Sequence, residues 1–155
     1  MFIYSDAGRS LSKRPNQIND CTVRAFALAF QIPYDQAYDY LKEQGRVCSK
    51  GFHLQKMLAK EPVIYDLKVK KIKIPFTPGS ARVKVDDFVL MYPKGTYIIR
   101  VAKHVACVKD GVVYDTSLVY GQKMVYVAFS IPGIESTQQE YVIKTAGEKL
   151  KVQSL

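Results

Sequence analysis

The sequence predicts an α+β domain, with N-terminal helices packed on one face of a mainly antiparallel β-sheet. Two observations carry this. Apolar residues recur at helical spacing up to about Pro62, and beyond it the pattern changes to short β-branched and aromatic runs separated by Pro, Gly or Asp. In addition, nearly half of the 155 residues are apolar, enough for one domain spanning 1-155 to bury a core without disulfides or metal.

The elements follow in order. Ser10 to Asn19 is polar, contains Pro15 and reads as a loop; Asp20 follows as a natural N-cap whose carboxylate can accept from first-turn amides. The helix it opens, from about Cys21 to Gln31, is apolar almost all round and so is expected to be buried on most sides, stopping before Pro33. A second, amphipathic helix runs from Tyr34 to Gln44, with Gly45 to end it, and a third from Phe52 to Lys60 stops before Pro62. Strands are expected at Val63 to Leu67, Val69 to Ile74, Tyr97 to Val108, Val112 to Thr116 and Met124 to Ile131; Val85 to Tyr92 fits a short helix or a strand. The tail from Gln138 to Leu155 is charged and weakly patterned; it fits a helix, a last strand or a partly disordered segment, peripheral to the domain.

The formal charge of +9 attracts acidic partners, but the dense run Lys68 to Lys73 alternates with Val69 and Ile72 as a solvated strand face does. No helix-turn-helix, zinc-finger, aromatic RNA-binding or phosphate-loop signature accompanies it, so no specific nucleic-acid role is expected. The longest apolar run is too short to cross a bilayer and the N-terminus lacks a secretory pattern, which leads to an expected cytoplasmic location. Three cysteines without a CxxC pair fit free thiols in a reducing compartment; no metal or other cofactor is expected.

The candidate site comes from Cys21 and from one hairpin. A thiol in the first turn of a helix feels the positive end of the helix and, beside an imidazole, becomes a thiolate near neutral pH. Asp110-Gly111 between two apolar runs signals a two-residue type I′ turn, which pairs Lys109 with Val112, Val108 with Val113, Cys107 with Tyr114 and Ala106 with Asp115. His104, Ala106 and Asp115 then share a face, with Asp115 the diagonal neighbour of His104 and within reach of its imidazole. A three-residue loop would put Asp115 opposite Val105 instead. Ala102 and Ala106 flank His104 and leave room for the Cys21 helix to approach. Nucleophile, base and orienting carboxylate are the three roles of an acyl-transfer triad. Taken singly, each residue has a commoner use: Cys21 as a small core residue, His104 as a core histidine, Asp115 as a strand-ending residue. Arg24 reads as a structural ion pair. Cys48 and His53 form a weaker rival pair without a nearby carboxylate. On this register Asp115→Ala should disorient the histidine without loss of thermal stability.

The stretches Asn19-Asp20-Cys21-Thr22-Val23-Arg24-Ala25, Pro33 to Tyr38, Gly95-Thr96-Tyr97 leading to His104-Val105, and Asp110 to Thr116 together resemble the compact papain-like cysteine peptidases of bacteriophages and bacteria, related to the double-glycine leader peptidases. The resemblance covers about Asn16 to Thr116. It implies a papain-like fold with a central buried helix carrying the cysteine, Cys21, His104 and Asp115 as the triad, and a side-chain amide upstream of the cysteine in the oxyanion hole. The family's glutamine, about six residues before the cysteine, is Pro15 here, so Gln17 and Asn19 are the candidates, Gln17 for its reach. The implied activity is a cysteine peptidase or related amide hydrolase acting on a peptide or protein substrate, an acidic one matching the charge, in the host cytoplasm if the chain is phage-encoded. The same triad serves deamidases, acyltransferases and cell-wall endopeptidases, and a basic binding protein docking on an acidic host factor is the reading from another class.

Overall fold

A computed structural model describes residues 1–117 and 121–133; the charged tail expected to be peripheral lies outside them. The elements are β1 (Phe2–Tyr4), a 3-10 turn at Arg9–Leu11, α1 (Cys21–Phe30), α2 (Tyr34–Glu43), α3 (Leu54–Leu58), β2 (Val63–Ile64), β3 (Leu67–Lys68), β4 (Lys70–Ile72), α4 (Val85–Met91), β5 (Thr96–Val101), β6 (His104–Lys109), β7 (Val112–Asp115) and β8 (Val127–Ser130). Among the described residues the result is α+β: four helices, a six-stranded mixed sheet in the order β1-β7-β6-β5-β8-β4, and a small sheet of β2 and β3. Every pairing in the large sheet is antiparallel except that of β1 with β7.

The apolar sequence of α1 dictates its position. Thr22 to Phe30 are all buried, and the helix packs on α2 and on the sheet face made by Ile98, Val105, Cys107, Tyr114 and Phe129. Gln31, at φ 56°, ends it by returning its N–H to the Ala27 carbonyl, and Pro33 follows. Gly45, at φ 112°, takes the left-handed position after α2 as expected. Side chains such as Phe26 and Leu28, fully buried here, each contribute about 1.5–3 kcal/mol by leaving water.

The helices do not all lie on one face. Val85 to Met91 is helical, and Val85 and Phe88 cover the other side of the sheet at Ile99, Val101, Ala106, Val108, Val113 and Ala128. Both faces of β5, β6 and β8 are apolar, so both require a cover. The expected strands are also cut shorter. Tyr97 to Val108 is two strands joined at Ala102-Lys103, and Val63 to Leu67 breaks at Tyr65-Asp66, both at positive φ. α3 is two residues shorter at each end than the expected Phe52 to Lys60. The lysine run ends on the sheet edge: Lys70 and Lys71 of β4 are exposed while Val69 is fully buried, a charged edge that discourages pairing with another chain.

Among the described residues no helix is long and apolar enough to cross a membrane.

Candidate active site

The β6–β7 hairpin has the register the two-residue turn predicts. Asp110 (φ 48°) and Gly111 (φ 77°) both adopt left-handed backbone, and Lys109 pairs with Val112, Val108 with Val113 and Cys107 with Tyr114. His104 Nε2 and Asp115 Oδ2 stand 2.6 Å apart.

The approach of α1 differs from the expected one. Ala106 packs toward α4, Ala102 is an exposed turn residue, and α1 lies on the opposite face, against Val105 and Cys107. Cys21 meets His104 at the end of the sheet instead. His104 is the first residue of β6, Asp115 the last of β7 and Cys21 the first of α1, so face alternation no longer separates them. The Cys21 thiol faces the same cleft as His104, and its interactions with the imidazole and with the backbone N–H of Val105 favour the thiolate. With Nε2 turned to Asp115, Nδ1 is the nitrogen left for the sulfur.

Asp20 occupies the N-cap position but its side chain makes no capping bond. Its carboxylate accepts from Arg9 Nη1 at 3.0 and 3.1 Å, from Arg24 Nε at 3.2 Å and from the Tyr34 hydroxyl at 2.8 Å. Two guanidinium groups outcompete neutral amides for a carboxylate, because charge-assisted bonds are about twice as strong. The first turn of α1 is therefore left uncapped by a side chain, and its positive end faces the thiol. Arg24 carries the network onward, from Asp20 to Asp115 Oδ1 and to Thr116 Oγ1 at 3.1 Å. Arg9, Asp20, Arg24, Asp115, His104 and Cys21 thus form one continuous polar chain.

The charges follow from these contacts. Burial pulls Asp115 upward, but the His104 hydrogen bond and Arg24 outweigh it and hold the carboxyl at about 2. Burial would lower His104, yet Asp115 and Cys21 raise it to about 9. For Cys21, burial works against ionisation and is overcome by the His104 and Val105 hydrogen bonds and by Arg24, which lower the thiol. A thiolate facing an imidazolium, with a buried carboxylate behind, is the set of groups that acyl transfer uses. NMR titration should show His104 protonated up to about 9 in the parent and losing its proton at clearly lower pH in Cys21→Ala, where the thiolate partner is gone. An unchanged midpoint would mean that the sulfur and the ring do not interact in solution.

The amides expected at the oxyanion position are committed elsewhere. Gln17 Oε1 accepts from Ser49 N at 2.6 Å and from Arg46 Nη2 at 3.1 Å, its Nε2 donates to Cys48 Sγ at 3.6 Å, and Asn19 Nδ2 donates to the Ser49 carbonyl at 2.9 Å. Both hold the Cys48-Ser49 loop, and neither lines the cleft of about 380 Å³ that opens on Cys21 and His104. The side-chain amide on that cleft is Gln55, from α3, accompanied by His53, Arg100 and Lys103. Nothing in the sequence distinguishes Gln55, because the loop fold that brings α3 to Cys21 leaves no local pattern.

Cys48 and His53 do not pair. Cys48 is exposed, and hydrogen bonds from Tyr38, Gln17 and Ser49 bring its thiol down to about 7, whereas burial pushes Cys107 up to about 12. Among the described residues no group of three or more His, Cys, Asp or Glu side chains is placed to hold a metal ion. No protein-family model, curated protein or solved structure matches the chain.

Proposed function

We propose that the chain is a thiol hydrolase, a papain-like cysteine peptidase or related amide hydrolase, with Cys21 as nucleophile, His104 as acid and base and Asp115 as the group that orients the imidazole. One observation carries the reading: Cys21 and His104 share one cleft, and the imidazole is held from behind by a buried carboxylate at 2.6 Å.

In the first half of the reaction the thiolate attacks the acyl carbon and a C–S bond forms. The carbonyl electrons move to oxygen, and their return expels the amine, which takes the proton from His104. In the second half His104 removes a proton from water, the hydroxide attacks the thioester, and the C–S bond breaks to restore the thiolate. Asp115 stays ionised throughout, so the imidazolium is stabilised at each stage. The negative oxygen of each tetrahedral intermediate requires donors, and the uncapped first turn of α1 with the Gln55 amide provides them in this reading.

A proteome-derived peptide library digested by the full chain tests the activity. Gln55→Ala should lower kcat by about 10²-fold or more with KM little changed, as loss of one oxyanion donor does, whereas Gln17→Ala should act mainly on stability by freeing the Cys48 loop. A normal kcat for Gln55→Ala would remove it from the oxyanion hole.

A further inference from the structure

Among the described residues the walls of the cleft carry an arginine and a lysine and no acid. Arg100 is half-buried on β5, Lys103 is exposed in the turn that leads into His104, and His53, at the start of α3, lines the same cleft. Neither Arg100 nor Lys103 is in an ion pair with any described residue, whereas the arginines behind the site are paired: Arg14 binds Asp35 and Asp39, and Arg9 and Arg24 bind Asp20. Asp115 lies behind His104, buried and held by Arg24, so it does not offset the charge of the walls. The turn itself fixes this placement: Val101 pairs with His104, so that Lys103, at φ 58°, immediately precedes His104 in the turn and Arg100 stands opposite Val105.

We propose that the cleft selects substrates bearing a carboxylate next to the acyl group attacked, with Arg100 and Lys103 as the residues that recognise it. The inference rests on the hydrolase reading and names its substrate class. Two unpaired cations lining the same cleft as the thiol attract an anionic group, and most strongly where the cleft excludes water. An Asp or Glu side chain and the free C-terminus of a peptide share this chemistry.

The preference is measurable before any substrate is known. Iodoacetate and iodoacetamide differ only in carboxylate against amide, and in both the thiolate displaces iodide from the same carbon. The ratio of their rates at Cys21 is therefore independent of how much of the thiol is ionised. In a full-length Cys48→Ser background, with the Cys21 peptide followed by mass spectrometry, this ratio should exceed that of 2-mercaptoethanol by about tenfold or more. Lys103→Gln and Arg100→Gln should each lower it by about threefold to fivefold, and salt should erode it. The imidazolium contributes to the parent ratio, which is why the two variants decide. Lys70→Gln, on the distant edge strand, should leave it unchanged; an equal fall there would show only the effect of overall charge and would overturn the assignment. A parent ratio equal to that of the small thiol, or one unmoved in Lys103→Gln, whose exposed turn position tolerates the change, would also overturn it. Any of these results leaves the hydrolase reading standing so long as Cys21 still reacts below neutral pH. Cleavage of Asp- and Glu-containing peptides, blocked or unblocked at the C-terminus, then tells the two sources of carboxylate apart.

Discussion

Cys21→Ala is expected to lower hydrolysis of any substrate found by about 10⁴-fold or more, with far-UV CD and Tm close to those of the parent. Alanine is the best helix former and the first turn of α1 has no side-chain cap to lose, so the change removes the nucleophile and little else. Cys48→Ser and Cys107→Ser should retain activity. Cys107 is fully buried in the core beneath α1, and Cys48 is tied to Gln17 and Ser49 away from the cleft. The lowered thiol of Cys21 gives a second readout, since iodoacetamide at about pH 5.5 should label it while an ordinary thiol barely reacts. That measurement must resolve the labelled peptide: Cys48, brought down to about 7 and fully exposed, is the other reactive thiol. Undiminished hydrolysis by Cys21→Ala would end the thiol-hydrolase reading, and an inactive Cys48→Ser with an active Cys21→Ala would move the nucleophile to the other thiol.

What the sequence discloses and what it hides have physical causes. The Asp110-Gly111 turn is legible because two consecutive left-handed residues demand such a pair, and a two-residue turn fixes every register position behind it. The burial of α1 is legible from its composition. The Ala102-Lys103 and Tyr65-Asp66 turns are not, for their left-handed residues are Lys103, Tyr65 and Asp66, not glycine, so two strand runs read as continuous. The identity of the cap partner is hidden for another reason. Asp20 ahead of a helix reads as a cap unless Arg9, Arg24 and Tyr34 are known to converge on it, and only the Arg24 spacing, four residues on, hints at that. The oxyanion amide is the extreme case: Gln17 and Asn19 are near Cys21 in sequence and committed to another loop, while Gln55 arrives from a separate helix.

The contacts of Asp115 change what its removal should do. With the carboxylate gone, His104 loses its orienting partner and activity should fall by about 10³- to 10⁴-fold; stability should fall as well, because Arg24, half of whose ion pairing is to Asp115, is left buried with Asp20 alone. Breaking a buried pair from one side costs up to about 3–5 kcal/mol, so a fall in Tm on the order of 5–10 °C is expected at neutral pH for Asp115→Ala. The pH dependence has a definite sign. Asp115 is held at about 2, below the ordinary 3.8, so its contribution is complete above 3.8 and fades as pH falls toward 2; the Tm gap between parent and variant should close over that interval. Asp115→Asn separates the two effects. Arg24 can only donate, so it takes the amide oxygen and turns the NH₂ toward Nε2, which must then accept and so forces the wrong tautomer on the ring. Activity should therefore fall almost as far as in Asp115→Ala while Tm falls less. Asp110→Ala is the control on the hairpin itself, since its exposed side chain accepts from Gly95 N at 2.8 Å and stands 3.7 Å from Lys109 Nζ, both away from the site, and its loss should cost modest stability with little loss of turnover. An Asp115→Ala protein within tenfold of parental activity would show that His104 needs no carboxylate, and an Asp115→Asn protein as active as the parent would show that Arg24 does not fix the orientation of the group between them.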